Sequence, residues 1–200
     1  MIVLADNDVV HKLSCSDLLQ ELLQWLEVPP NEIWVLPSLY HVLKKRLKND
    51  TKAMDCLNSF LSRTKQIPPA NAEQLERFAS LDIGEQQMFA IFVDDTFDSS
   101  RLVTGDKRAL ISVNKIAAKD GELYQRLDGR VESLESIMVG LIQCFGFDAI
   151  NTKIIQGTAS DTVLRMAFGA HRDHAHAMQL LNSYQSDLQS QAPFIIKRIE

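Results

Sequence analysis

Apolar residues come in short blocks, separated by turn formers and charges. Ile2-Val3-Leu4-Ala5 is an apolar run that stops at Asp6, the pattern of a strand covered on both faces. Leu18, Leu19, Leu22, Leu23 and Leu26 then recur at helical spacing. They predict a helix over 16–27, opened by Ser16 and closed by Pro29-Pro30. Ile33-Trp34-Val35-Leu36 reads as a second buried strand. Pro37-Ser38 open a helix that turns Leu39, Val42, Leu43 and Leu47 inward. Further helices are expected over 51–62 and 72–79, and from Leu81-Asp82-Ile83-Gly84-Glu85 through Val93. Arg101–Thr104 is a third strand, followed by a helix over 107–118. Arg130-Val131-Glu132 is a short fourth strand, followed by an apolar helix from Leu134 to Phe145.

Strands that alternate with helices predict an α/β protein with a central, mostly parallel sheet of four or five strands. Ligands of such sheets sit beyond the carboxyl ends of the strands. Residues 151–200 are patterned differently and read as a C-terminal helical extension. A single long helix is expected over about 161–190, with Val163, Met166, Ala167, Met178, Leu181, Tyr184 and Leu188 along one stripe. Ala192-Pro193 stop it, and Phe194-Ile195-Ile196 form an apolar, β-prone tail that must pair with a sheet edge or a partner. An isolated helix does not bury such a stripe. The extension is therefore expected to dock on the body, with a homodimer or a small antitoxin-like protein as the rival cover.

Composition narrows this only a little. A net charge of 21 − 26 = −5 excludes nucleic-acid binding through overall charge, though not through a local patch. Three cysteines, Cys15, Cys56 and Cys144, lie far apart and form no CxxC, which fits buried or half-buried free thiols in a reducing compartment. The apolar start is short and turns acidic at once, unlike a secretory leader. No apolar run is long enough to cross a bilayer. A cytoplasmic protein without membrane contact is the expectation.

The candidate chemistry lies at the strand ends. Asp6 and Asp8 follow the first strand, Asp106 follows the third, and Glu85 starts a helix. Acids gathered at one edge repel one another unless something positive neutralises them. A hard divalent cation, Mg²⁺ or Mn²⁺, does so with oxygen ligands, and such a cation activates water and stabilises charge on phosphate. Taken singly, each acid equally suits a helix cap or a strand end.

Four segments in order resemble the PIN-domain nucleases: IVLADNDVV, LDIGEQQMFAIFV, RLVTGDKRAL and RVESLESIMVGLI. The resemblance covers roughly residues 1–150. It implies a compact three-layer α/β/α fold and a metal-dependent endoribonuclease that cleaves RNA. On the matching positions, Asp6, Glu85 and Asp106 would be catalytic residues and ligands of Mg²⁺ or Mn²⁺, or their close supports. Asp8 falls where the family carries Asn or Asp beside the site, and Thr104 matches a hydroxyl that supports the last acid. One acid of the family pattern is absent: no Asp or Glu lies between Ile33 and Asn49. Asp82 or Asp8 would have to compensate, and an active site lacking that acid would be weakened or silent.

Two other readings compete. DNDVV also resembles the opening of haloacid-dehalogenase-type phosphatases, which would make Asp6 a nucleophile and Asp8 a general acid; the acid expected four residues after Asp106 is instead Leu110. A PIN-like scaffold without catalysis would serve as a nucleic-acid- or protein-binding module. Lys44, Lys45, Arg46 and Lys48 offer a basic face for a phosphate backbone, although a solvated helix face has the same composition. His171 and His174 stand i, i+3 on the expected long helix and could share one metal, with His176 turned away, but a polar helix face is the preferred reading.

Overall fold

The computed structural model describes residues 3–157 and 161–196. Ile2 of the expected first strand, and 158–160 just before the expected long helix, lie outside the described residues.

The chain opens with β1 (Val3–Ala5), buried throughout, and enters α1 (Asn7–Cys15) directly. This helix was not expected from the sequence. Its apolar residues are few, but Val9, Val10 and Leu13 share one buried face. Asp17, with φ of 54°, turns the chain into α2 (Leu19–Leu26). β2 (Ile33–Val35), α3 (Leu39–Arg46) and α4 (Thr51–Leu61) follow near their expected positions. The structure then adds β3 (Lys65–Gln66), two exposed polar residues that no apolar pattern marks.

Next come α5 (Ala72–Arg77), α6 (Ile83–Phe92), β4 (Arg101–Thr104), α7 (Lys107–Ala117) and α8 (Gly121–Leu127). β5 (Val131–Ser133) lies one residue later than expected and leads into α9 (Leu134–Phe145). The remaining helices are α10 (Phe147–Gln156), α11 (Thr162–Ala167) and α12 (His174–Gln191). The expected single helix over 161–190 is thus two. Phe168 is extended and the chain turns through 169–173 before Asp173 caps α12, its carboxylate accepting from His176 N at 2.8 Å.

All five strands pair in parallel, in the order β3-β2-β1-β4-β5. β1 is central, with Leu4 opposite Trp34 on one side and Leu102 on the other. Alternate side chains feed alternate layers. Val3, Ala5 and Val103 pack into a core with residues of α1–α4 and α9–α12, whereas Leu4 and Leu102 pack into a second core with α6–α8. The protein is therefore a three-layer α/β/α structure. No helix among the described residues is long and apolar enough to cross a membrane.

The C-terminal segment spans both layers. Ala177, Met178 and Leu181 of α12 join the first core, and Leu188 joins the second. The tail closes the β5 edge: Ile195 bridges Val131 in parallel, and Ile196 N donates to Val131 O at 2.9 Å. Phe194 is fully buried. Of the stripe and tail, Val163, Ala167, Met178, Leu181, Leu188, Phe194 and Ile195 are buried within the chain, whereas Met166 is exposed.

Candidate functional site

Because the strands are parallel, their carboxyl ends share one edge, and the acids collect there. Asp6 directly follows β1, and its backbone N–H donates to Val103 O of the neighbouring strand at 3.0 Å. Asp106 caps α7 after β4, with Oδ1 accepting from Arg108 N at 2.9 Å and Ala109 N at 3.0 Å. Thr104, buried at the end of β4, ties the two together. Its hydroxyl donates to Asp6 Oδ2 at 2.9 Å and accepts from Asp106 N at 3.1 Å. Thr104 therefore fixes the Asp6 carboxylate and the backbone of Asp106, not the last acid alone.

Glu85 reaches the same edge from α6 but has local work as well. Asp82 Oδ1 accepts from Glu85 N at 2.9 Å, and Glu85 Oε2 accepts from Asp82 N at 3.2 Å, a reciprocal capping box. The helix-cap reading of Glu85 is correct as far as it goes, and Asp82 is its partner in the cap. Glu85 nevertheless senses the cluster. Burial, reinforced by the charges of Asp82, Asp106 and Asp6 against the pull of the Asp82 N–H, pushes its carboxyl up to about 7. Burial likewise lifts Asp6 to about 6, with Asp8 and Asp106 adding repulsion that the Thr104 hydroxyl only partly offsets. The two raised carboxyl groups thus come from different elements, and the charge of Asp6 adds to the rise at Glu85.

Asp8 is placed differently. It sits in the first turn of α1, and Lys12, four residues on, reaches back to it with Nζ–Oδ2 of 2.5 Å. The same ammonium holds Asp161, the cap of α11, at 2.9 Å, and donates to Gly105 O at 3.4 Å. The Lys12 side chain is only 13% exposed and that of Asp161 only 14%. Burial pulls the Lys12 amine down, but its two carboxylates outweigh this and hold it above the ordinary lysine value. Asp161 is held below the ordinary carboxylate value by the same pair, against its burial. Gly105 makes room for the arrangement: a Cβ there would stand 2.6 Å from Asp8 Oδ2.

Lys12 and Asp161 are the residues that sequence reasoning missed. The Asp8–Lys12 spacing was visible, but it carries meaning only once α1 is known to be a helix. Asp161 is brought in from the far end of the chain. Among the described residues, no lysine or arginine forms an ion pair with Asp6, Glu85 or Asp106. No group of three or more His, Cys, Asp or Glu among them forms a ready cage for a metal ion. Compared with known proteins, the chain matches no family model, no curated protein and no solved structure.

The other candidates lie apart. Lys44, Lys45 and Arg46 stand exposed at the end of α3, with Lys48 exposed just beyond. Lys44 lies over the Tyr40 ring, 5.5 Å from its centre. Arg46 approaches α1 closely enough to depress the His11 imidazole, after burial and against Asp8. The first turn of α3 carries no acid. The three histidines do not converge. His171 is in the turn before α12 and not on a helix, His174 packs its edge against Phe147, and His176 Nε2 lies 3.3 Å from Met166 O. The i, i+3 pairing fails because the expected helix is broken at 168–173. Of the cysteines, Cys15 is buried and Cys56 half-buried, but Cys144 is exposed.

Proposed function

We propose that this chain is a PIN-like endoribonuclease of low activity, dependent on Mg²⁺ or Mn²⁺. One observation carries the reading: Thr104 joins Asp6 and Asp106 at the carboxyl edge of a parallel sheet, where Glu85 shares their repulsion and, among the described residues, no lysine or arginine pairs with any of the three. Carboxylates gathered without a counter-charge suit a hard divalent cation. Asp6, Glu85 and Asp106 would hold it, with Asp8 beside them. When bound, the cation supplies an activated water and neutralises charge on the scissile phosphate.

The chain's own residues orient and tune the site. The Thr104 hydroxyl fixes the Asp6 carboxylate, and the α7 cap leaves Asp106 with one oxygen outside the helix terminus. Glu85 keeps one oxygen on its capping box. Lys12 holds Asp8 out of the acid set, and α3 brings no further acid. Fewer free oxygens mean weaker cation binding, hence the low activity. The pairing with Lys12 also gives the phosphatase reading less support, because that reading needs Asp8 as a free general acid. It gives a non-catalytic binding module its best support, as the second reading.

The test is cleavage of single-stranded RNA with Mn²⁺, wild type beside Asp6→Asn. Cleavage lost in the variant, with the fold intact by circular dichroism, is the expected result. Equal cleavage by both proteins would overturn the nuclease reading. No cleavage by either, with RNA still bound, would favour the binding module.

A further inference from the structure

We infer that the RNA strand is seated in the cleft between the start of α7 and the α11–α12 segment, and not on the basic face of α3. The cleft has a volume of about 480 Å³ and opens directly beside Asp106. Its charged lining is mixed: Lys12 of α1 and Lys107 and Arg108 of α7 stand with Asp8, Asp106 and Asp161, beside Thr162 and Tyr184. Lys107 is oriented from two sides. Its ammonium lies 2.7 Å from the buried Glu135 carboxylate and 4.6 Å from the centre of the Tyr184 ring. Arg108 is exposed and has no carboxylate partner among the described residues. A phosphodiester in this cleft meets an uncommitted guanidinium and an oriented ammonium while touching the carboxylate edge. The face carrying Lys44, Lys45 and Lys48 is also basic and exposed, but the pocket at the start of α3, lined by Tyr40 and His41, includes none of the clustered acids.

The inference rests on the nuclease reading for its class of ligand, and it gives the extension a role: α11 and α12 supply the far wall of the binding cleft. Binding is read by fluorescence anisotropy of a labelled single-stranded oligoribonucleotide in EDTA, where metal-dependent cleavage is off. Arg108→Glu, an exposed change, is expected to weaken binding roughly tenfold at low salt, and Arg108→Ala to lower the slope of log affinity against log salt by about 0.7. The double variant K44E/K45E is expected to lose less. Thermal melting confirms that each variant is folded. Unchanged binding by Arg108→Glu, an equal or larger loss in K44E/K45E, or no binding by the wild type would each overturn the inference. The two readings fail separately. RNA cleavage indifferent to Arg108 removes the cleft and leaves the nuclease, whereas Arg108-dependent binding without cleavage removes the nuclease and leaves the cleft.

Discussion

Asp6 concentrates the electrostatic cost of the site in one side chain. Its folded carboxyl titrates at about 6, above the ordinary value near 3.8, and Glu85 at about 7 against 4.5. The folded state therefore binds these protons more tightly than the unfolded chain does. Their contribution to stability is most favourable below the unfolded values and is lost as pH rises through the folded ones. Asp6→Asn keeps an oxygen for the Thr104 hydroxyl and removes the charge. It should raise stability at pH 8 by on the order of 1–3 kcal/mol and flatten the fall in melting temperature between pH 4 and pH 7. A variant no more stable than wild type at pH 8 would mean that Asp6 is already neutralised. Lys12→Met acts in the opposite direction. It leaves Asp8 and Asp161 without their shared cation, and chemical denaturation should show a loss of roughly 2–4 kcal/mol. A loss below about 0.5 kcal/mol, typical of an exposed pair, would show that the bridge is solvent-screened.

At the scale of elements, α9 is the pivot. Nine consecutive residues from Leu134 to Ile142 are buried, so every face of the helix has a neighbour. Gly140 marks the closest approach. A Cβ there would stand 2.4 Å from the Trp25 ring on α2. Alanine is the better helix former, yet Gly140→Ala should destabilise, by about 1–3 kcal/mol from overpacking, as read by denaturant midpoint. A stabilised Gly140→Ala would mean that Trp25 yields without cost. The elements that the pattern of apolar positions foretold include α2, with its periodic leucines, and α6 and α9, with their dense apolar runs. α1 and β3 were not legible, for different reasons. α1 buries only a narrow stripe between polar residues, and β3 is a two-residue polar edge whose pairing with Trp34 and Val35 exists only in the assembled sheet.

Across the whole molecule, the C-terminal segment fastens the layers together. α12 contributes to both cores, and the tail covers the β5 edge. Asp161 also reaches Lys12 at the carboxylate edge. Truncation after Gly157 would expose the faces of α9 and β5 that α12 and the tail cover, and would release Lys12 from one of its two acids. The truncated chain should aggregate or melt without a cooperative transition, as seen by light scattering and calorimetry. A soluble, cooperatively folding monomer would show that residues 1–157 suffice. Exposed edges and apolar helix faces drive the expected aggregation.

The sequence by itself determined the α/β class, the parallel sheet and the placing of Asp6 and Asp106 at strand ends, because apolar blocks of strand and helix length carry that information locally. It also contained the capping-box spacing of Asp82 and Glu85. Only the tertiary structure decided what those acids face. Thr104 bonds to both Asp6 and Asp106 because β1 and β4 are neighbours, 98 residues apart in the chain at that contact. Lys12 joins Asp8 to Asp161 because the fold brings the start of α11 beside α1. Charge interactions depend on distance and burial, and neither is set by spacing along the chain.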